Sequence, residues 1–334
     1  MTRRRQPTLE EVARHAGVGR GTASRVVNGS AHVSPRAREA VERAIRELGY
    51  VPNQAARTLK TRRTDTVALV IAEEEERVFA EPFFAGLVRA VSRAVEESSR
   101  RLVLSMVPGE EQLRRLGQFL TPQHVDGVVA VSLHDGLSLP DHADVPVVYV
   151  GRPADGRASY VDVDNVGGAR QVVEHLLARG RRTIACITGP QDMSSGRDRL
   201  DGYRRALHAA GLPFEADLVE AGDFSDPSGV AAAGALVERR PDLDAIFAAN
   251  DVMALGALRE LGRRGIDVPG RVALAGFDGS AAAAASVPVL TTVDQPLARL
   301  GAAAVEVLAR RIEDASSEPE SVVLTAELKV GEST

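Results

Sequence analysis

The chain has 334 residues, 44% of them hydrophobic and 26% charged, a length that predicts two or three domains with sizeable cores. No apolar run approaches the ~18 residues that cross a bilayer, the basic start lacks the apolar stretch of a secretory signal, and the lone Cys186 allows no intrachain disulfide; a reducing cytoplasm is the expected home. The net charge of −5 divides unevenly: residues 1–63 carry +9 and the remainder −14, so a nucleic-acid reader joined to a second module is expected, against the plainer alternative of a solvated charged surface.

Thr8-Leu9-Glu10-Glu11 has the spacing of a capping box, in which the Thr8 hydroxyl accepts the backbone N–H three residues on and Glu11 reaches back. Leu9, Val12, Ala13 and Ala16 continue at helical spacing until Gly17. A second helix is predicted over 20–27, with Ala23, Val26 and Val27 inward, ended by Asn28-Gly29. Ser34-Pro35 opens a third, with the stripe Val41, Ala44, Ile45 and Leu48, and Gly49 closes it. Two helices joined by a tight glycine turn, with a third to complete the core, read as a helix-turn-helix. Residues 53–60 place Ala55, Ala56 and Leu59 on one side. Eight residues are too few to hold a helix alone, because nucleation is costly, so a partner surface must order this one.

From residue 67 onward short β runs alternate with longer helical patterns. The apolar runs are 67–72, 102–107, 127–132, 147–151, 183–188, 245–249 and 272–277. The helical stretches are 83–98, 166–179, 197–210, 227–239, 251–264 and 296–314. Apolar strands separated by amphipathic helices predict an α/β body with parallel, doubly wound sheets covered on both faces. Its size predicts two lobes. The acid run 73–76 reads as a solvated loop after the first strand, with a cation site as the alternative. Residues 281–285 read as a small-residue helix or loop.

Arg20, Thr22, Ser24, Arg25 and Asn28 lie at the start and along the exposed face of the second predicted helix. An arginine fork matches the O6/N7 edge of guanine, and Ser, Thr and Asn suit phosphate oxygens. Enzyme signals are weak: there is no phosphate-binding Gly-x4-Gly-Lys loop, no Gly-x-Ser-x-Gly elbow and no His-Glu-x-x-His. The seven histidines are scattered and read as surface or helix residues, so neither a catalytic residue nor a metal or other cofactor is expected. Asn250 and Asp278 follow apolar runs, at the carboxyl ends of predicted parallel strands, where open α/β sheets bind ligands. With Arg199 they offer charged and neutral hydrogen-bond partners, while Phe83, Phe84 and Phe224 offer apolar faces. Caps and core packing are the alternative roles.

These residues resemble the lactose/galactose repressor (LacI/GalR) family of bacterial transcription regulators. The head carries Thr8-Leu9-Glu10-Glu11-Val12-Ala13, Ala16-Gly17-Val18, Thr22-Ala23-Ser24-Arg25-Val26-Val27-Asn28-Gly29 and Leu48-Gly49-Tyr50-Val51-Pro52-Asn53. The body carries Pro82-Phe83-Phe84, Asp164-Asn165, Arg199 with Gly202-Tyr203, Ala249-Asn250-Asp251, Gly276-Phe277-Asp278 and Leu290-Thr291-Thr292-Val293 with Gln295-Pro296. The resemblance implies a helix-turn-helix head over 1–52 and a hinge helix and linker over 53–65. It further implies a two-lobed body like a periplasmic sugar-binding protein, with one lobe from 66–165 and 294–322 and the other from 166–293 and 323–334.

By the same resemblance Arg20, Gly21 and Arg25 face bases, and Thr22, Ser24, Asn28 and His32 mostly meet the DNA backbone. Leu59 wedges into the minor groove, and Thr8, Asn53 and Ala56 complete the DNA-contacting set. Arg199 and Asp278 are the main polar effector contacts, Ser195, Asn250 and Gln295 secondary ones, and Phe83, Phe84 and Phe224 the apolar or stacking ones. Two departures stand out: Gly19 replaces the usual capping serine, and Gly21 offers no side chain for base reading. No heptad tail follows the last predicted strand, so a dimer is expected rather than a tetramer.

The function implied is a cytoplasmic, nucleoid-associated, dimeric repressor of carbohydrate-use genes. It would bind a near-palindromic operator in double-stranded DNA under the control of a sugar, with no membrane partner. A purine or another metabolite is the alternative effector. A sugar-binding transport protein and an enzyme with a DNA-binding head are the alternative classes.

Overall fold

The computed structural model describes residues 7–27, 30, 32–50, 63–137, 139, 144–154, 157–314 and 316–334. Asn28, Asn53, Ala56, Leu59 and nearly all of the expected hinge helix lie outside them. The chain forms two compact units, residues 1–64 and 65–334.

The first unit packs α1 (Leu9–His15), α2 (Arg20–Val27) and α3 (Pro35–Leu48) around Val12, Ala13, Ala23, Val26, Val41 and Ala44. The capping box forms as its spacing predicts: Glu11 N donates to Thr8 Oγ1 at 3.3 Å, and Thr8 N donates to Glu11 Oε2 at 2.7 Å. Ser34 caps α3. Gly49, at φ 64°, ends it in the left-handed conformation that glycine adopts without steric cost. On the far side, Arg38 Nη2 donates to the Ser30 carbonyl at 2.6 Å, tying the segment after α2 to α3.

The second unit holds two parallel sheets. Its first lobe is built on β1 (Thr66–Ile71), β2 (Arg101–Met106), β3 (Gly127–Val131), β4 (Val147–Val150), β5 (Ser159–Val163) and β11 (Ser321–Leu324), in the order β11-β5-β4-β3-β1-β2. The second is built on β6 (Ile184–Thr188), β7 (Val219–Ala221), β8 (Ala245–Ala248) and β9 (Ala273–Ala275), in the order β7-β6-β8-β9. The helices of the first lobe are α4 (Glu75–Ala80), α5 (Pro82–Glu97), α6 (Glu110–Gly117) and α12 (Leu297–Glu313). Those of the second are α7 (Asn165–Ala178), α8 (Ser194–Ala209), α9 (Asp226–Arg239), α10 (Asp251–Arg263) and α11 (Ala281–Ala284). A small antiparallel pair, β10 (Thr292–Asp294) with β12 (Glu327–Lys329), completes the described strands.

β1, β3 and β6 are buried along their whole length, which is why they read as continuous apolar runs. β2 departs from the expectation of cover on both faces: it is the edge strand, and Arg101 and Leu104 are exposed. α12 belongs to the first lobe, packed on α5 with Gly301 against Ala90 and Val91. The chain therefore passes between lobes three times, at β5 to α7, at β10 to α12 and at β11 to β12.

The expected lobe boundary at 322 falls inside β11. All four of its residues pair with Tyr160–Val163 of β5, so the last passage comes after Leu324. The acid run 73–76 is not a uniformly solvated loop. Glu73 is buried and Glu75 opens α4, because Arg77, one turn further on, ion-pairs with Glu73 at 3.1 Å. No helix among the described residues is long and apolar enough to cross a membrane.

Candidate functional sites: a helix face and a cleft

In the first unit, Ala23 and Val26 turn α2 inward. Arg20, Gly21 and Arg25 are exposed on its outer side, with Thr22 and Ser24 half-buried beside them. Arg20 Nε lies 2.9 Å from Glu10 Oε1 of α1, and Arg25 Nε donates to the Gly21 carbonyl at 3.2 Å. His32 is exposed, its N–H donating to Ser30 Oγ. The Thr8 hydroxyl is engaged by Glu11 on both sides, as the cap of α1. The face thus presents two guanidinium groups on a rigid helix, which suits the major groove of a duplex.

In the second unit a cavity of about 830 Å³, counting its solvent-open mouth, lies between the lobes at the carboxyl ends of both sheets. All eight residues singled out in the sequence line it: Phe83, Phe84, Ser195, Arg199, Phe224, Asn250, Asp278 and Gln295. Arg199, on α8, is buried. Its Nε donates to Asn165 Oδ1 at 2.9 Å, and its Nη1 donates to the Ala249 carbonyl at 2.5 Å and faces Asp278 Oδ1 at 3.5 Å. Its guanidinium carbon sits 3.8 Å from the centre of the Phe277 ring and 5.7 Å from that of Phe224. Gln295 Nε2 donates to Asp278 Oδ1 at 2.7 Å. Burial lowers the Arg199 pKa and raises that of Asp278, an effect the neighbouring guanidinium opposes.

Two cavity residues hold backbone conformations that side-chain-bearing residues rarely adopt: Phe224 at φ 70° and Asp278 at φ 121°. Each is fixed by its surroundings. Asn250 caps α10 through Met253 N–H at 2.8 Å, and its Nδ2 donates to the Phe224 carbonyl at 2.9 Å. Asn250 thus lines the cavity and also holds the Phe224 backbone in place. The Phe224 ring lies over Gly189, where any Cβ would collide with it. Behind Asp278, the buried Asp251 accepts from Ser280 N–H at 2.7 Å and from Thr292 Oγ1 at 2.5 Å, which pins the loop after β9 to β10. Burial and the Asp278 charge raise the Asp251 pKa.

Sequence reasoning missed several groups here. Arg77, Glu81, Arg152, Asp162 and Asn165 also line the cavity, and Phe277 floors Arg199. Of these, Asn165 and Phe277 lie in the Asp164-Asn165 and Gly276-Phe277-Asp278 motifs. His134, read as one of seven scattered surface or helix residues, instead links the lobes. Its Nδ1 is 2.8 Å from Asp192 and its Nε2 3.4 Å from the buried Glu73, which also accepts from Ser132 Oγ. Those carboxylates raise its pKa.

Residues 8–53 match the model described as bacterial regulatory proteins, lacI family, and residues 173–334 match the periplasmic binding protein-like domain. The chain is 52% identical over 339 aligned positions, spanning all of both chains, to the HTH-type transcriptional regulator CelR of Thermobifida fusca. This chain belongs to the LacI family of bacterial regulatory proteins. It is a DNA-binding transcriptional regulator, with the helix-turn-helix and two-sheet body expected from the sequence. A solved transcriptional regulator CelR–cellobiose complex matches 98% of this chain and all of its own, at 50% identity and a TM-score of 0.79. The lac repressor dimer bound to operator and the anti-inducer ONPF matches 99% of each chain, at 28% identity and a TM-score of 0.86.

Proposed function

We propose that this LacI-family regulator is a cytoplasmic homodimer that represses carbohydrate-use genes and answers to a β-linked glucose disaccharide held in the interlobe cavity. The observation that carries the reading is the cavity itself. Arg199, Asp278 and Gln295 form a polar strip suited to sugar hydroxyls, and Phe83, Phe84 and Phe224 line the same cavity. The likeness to CelR, solved with cellobiose, supports a disaccharide over a monosaccharide.

On this reading Arg20 and Arg25 reach base edges, and Thr22, Ser24 and His32 steady the head on phosphates. Asn28, Asn53, Ala56 and Leu59 keep the DNA-facing roles their positions imply. Titrating cellobiose into a complex of the protein with its operator, read by mobility shift, tests the proposal. A shift in operator affinity is expected; typical allosteric coupling of ~1–3 kcal/mol corresponds to about 5- to 150-fold. No response to cellobiose would sink the disaccharide assignment. A response to a purine base in its place would favour stacking on Phe224.

A further inference from the structure

The cavity holds three arginines, and each already faces a carboxylate. Arg77 Nε is 2.7 Å from Glu81 and its Nη1 3.1 Å from Glu73. Arg152 Nη2 is 2.6 Å from both oxygens of Asp198. Arg199 faces Asp278. Against these three cations the lining itself carries Glu81, Asp162 and Asp278, and a further shell carries Glu73, Asp198 and Asp251. Asp162 is held by N–H groups: its oxygens accept from the backbone of Arg152 at 3.2 Å and Val163 at 2.7 Å and from the Asn165 amide at 3.1 Å.

We infer that this cavity discriminates by charge as well as shape, admitting neutral saccharides and excluding anionic ones such as uronic acids and sugar phosphates, with Glu81 and Asp162 as the discriminating residues. The inference rests on the reading of the cavity as the sugar site. An anionic group entering here must lose its hydration and either displace a carboxylate from an arginine or sit beside Glu81 or Asp162 and be repelled by it. Either route is costly at Arg77 and Arg199, whose side chains are mostly buried, and less so at the half-exposed Arg152. A neutral hydroxyl meets no such penalty, because it donates to a carboxylate oxygen and accepts from a guanidinium or amide. Burial has already pushed the Glu81 carboxyl up to about 7 and that of Asp162 to about 6, so the cavity strains to hold the negative charge it has.

The test uses the full-length protein and three ligands of one shape, measured by calorimetry at pH 8: cellobiose, its counterpart with a C6 carboxylate on the non-reducing ring, and the matching C6 carboxamide. Cellobiose and the amide are expected to bind within about threefold of each other, and the acid at least thirtyfold more weakly. Equal binding of acid and amide overturns the inference. Equal loss of both also overturns it, since shape alone would then account for selectivity. If cellobiose itself does not bind, the sugar reading fails first and this inference with it. The paired variant Glu81→Gln, Asp162→Asn, verified as folded by its melting curve, should narrow the acid-to-amide gap severalfold. An unchanged gap would remove those two residues from the explanation.

Discussion

Arg152, just past β4 of one lobe, grips Asp198 on α8 of the other, with both carboxylate oxygens 2.6 Å from a single guanidinium nitrogen. The same rim carries Arg197 on Asp135, His134 on Asp192, and a backbone bond from Asp135 N–H to the Asp192 carbonyl at 2.7 Å. Each of these half-exposed ion pairs contributes only ~0–1 kcal/mol. Together they bias the lobes toward each other around whatever the cavity holds. The double variant Asp135→Ala, Asp198→Ala should therefore bind the sugar about three- to tenfold more weakly in calorimetry, and should keep its operator affinity without sugar. Undiminished sugar affinity would show that the rim plays no part in closure.

Arg199→Ala and Asp278→Ala should each abolish the response to sugar in a mobility-shift assay while leaving operator binding intact. Loss of one partner also strands the other in a buried site, a change that typically costs ~3–5 kcal/mol of stability. Both variants should melt well below the parent, and the assay belongs at a temperature where they remain folded. A normal sugar response in both would mean that the ligand lies elsewhere.

Stability of the body should depend on pH through Glu81. Its carboxyl titrates near 4.5 in the unfolded chain and about 7 in the folded one, chiefly through burial. Between those values the folded chain keeps a proton that the unfolded chain has released, so stability falls as pH rises through the window. Asp162 acts in the same direction between 3.8 and about 6. His134, whose pKa is raised, also acts that way: its contribution is present below its unfolded pKa and is lost as pH rises through the folded one. Glu81→Gln should thus gain melting temperature relative to the parent between pH 5 and pH 8, by a few degrees on the scale of ~2–4 °C per kcal/mol. A constant difference at the two pH values would show that Glu81 ionises normally.

On the head, Glu10 holds Arg20 away from any DNA partner, but the pair is well exposed and weak. Glu10→Gln should tighten operator binding about two- to fivefold, whereas Arg20→Ala and Arg25→Ala should each weaken it by ~1–3 kcal/mol if they read bases. Each lost phosphate contact would instead lower the slope of log K against log salt by ~0.9. Footprint titrations at several salt concentrations separate the two roles.

Much of this molecule was legible because its signals are local. The capping box at Thr8 and Glu11, the glycines after α1 and α3, and the apolar runs of β1, β3, β6 and β8 each lie within one short window of sequence. β7, β10 and β12 have three residues apiece, too few for any periodicity, and β10 finds β12 only through the fold. The site divides in the same way. Arg199, Asn250 and Asp278 stand at strand ends or in recognisable motifs. Glu73 looked solvated because, beyond the nearby Arg77, its partners Ser132 and His134 are 59 and 61 residues away. Asp162 lies in β5, a short strand of alternating burial with no continuous apolar run to mark it, and nothing local marks the Phe277 ring as the floor beneath Arg199.

The threefold passage of the chain between lobes has a consequence for how the protein can be cut and rebuilt. Neither half of the body is a contiguous stretch: a fragment ending near residue 164 would lack α12 and β11, and one starting there would carry both as orphans. Truncating the chain between β10 and β11 should damage both halves, since it removes α12 or β11 from one and β12 from the other. Domain-exchange chimeras between relatives will succeed only if all three junctions are moved together.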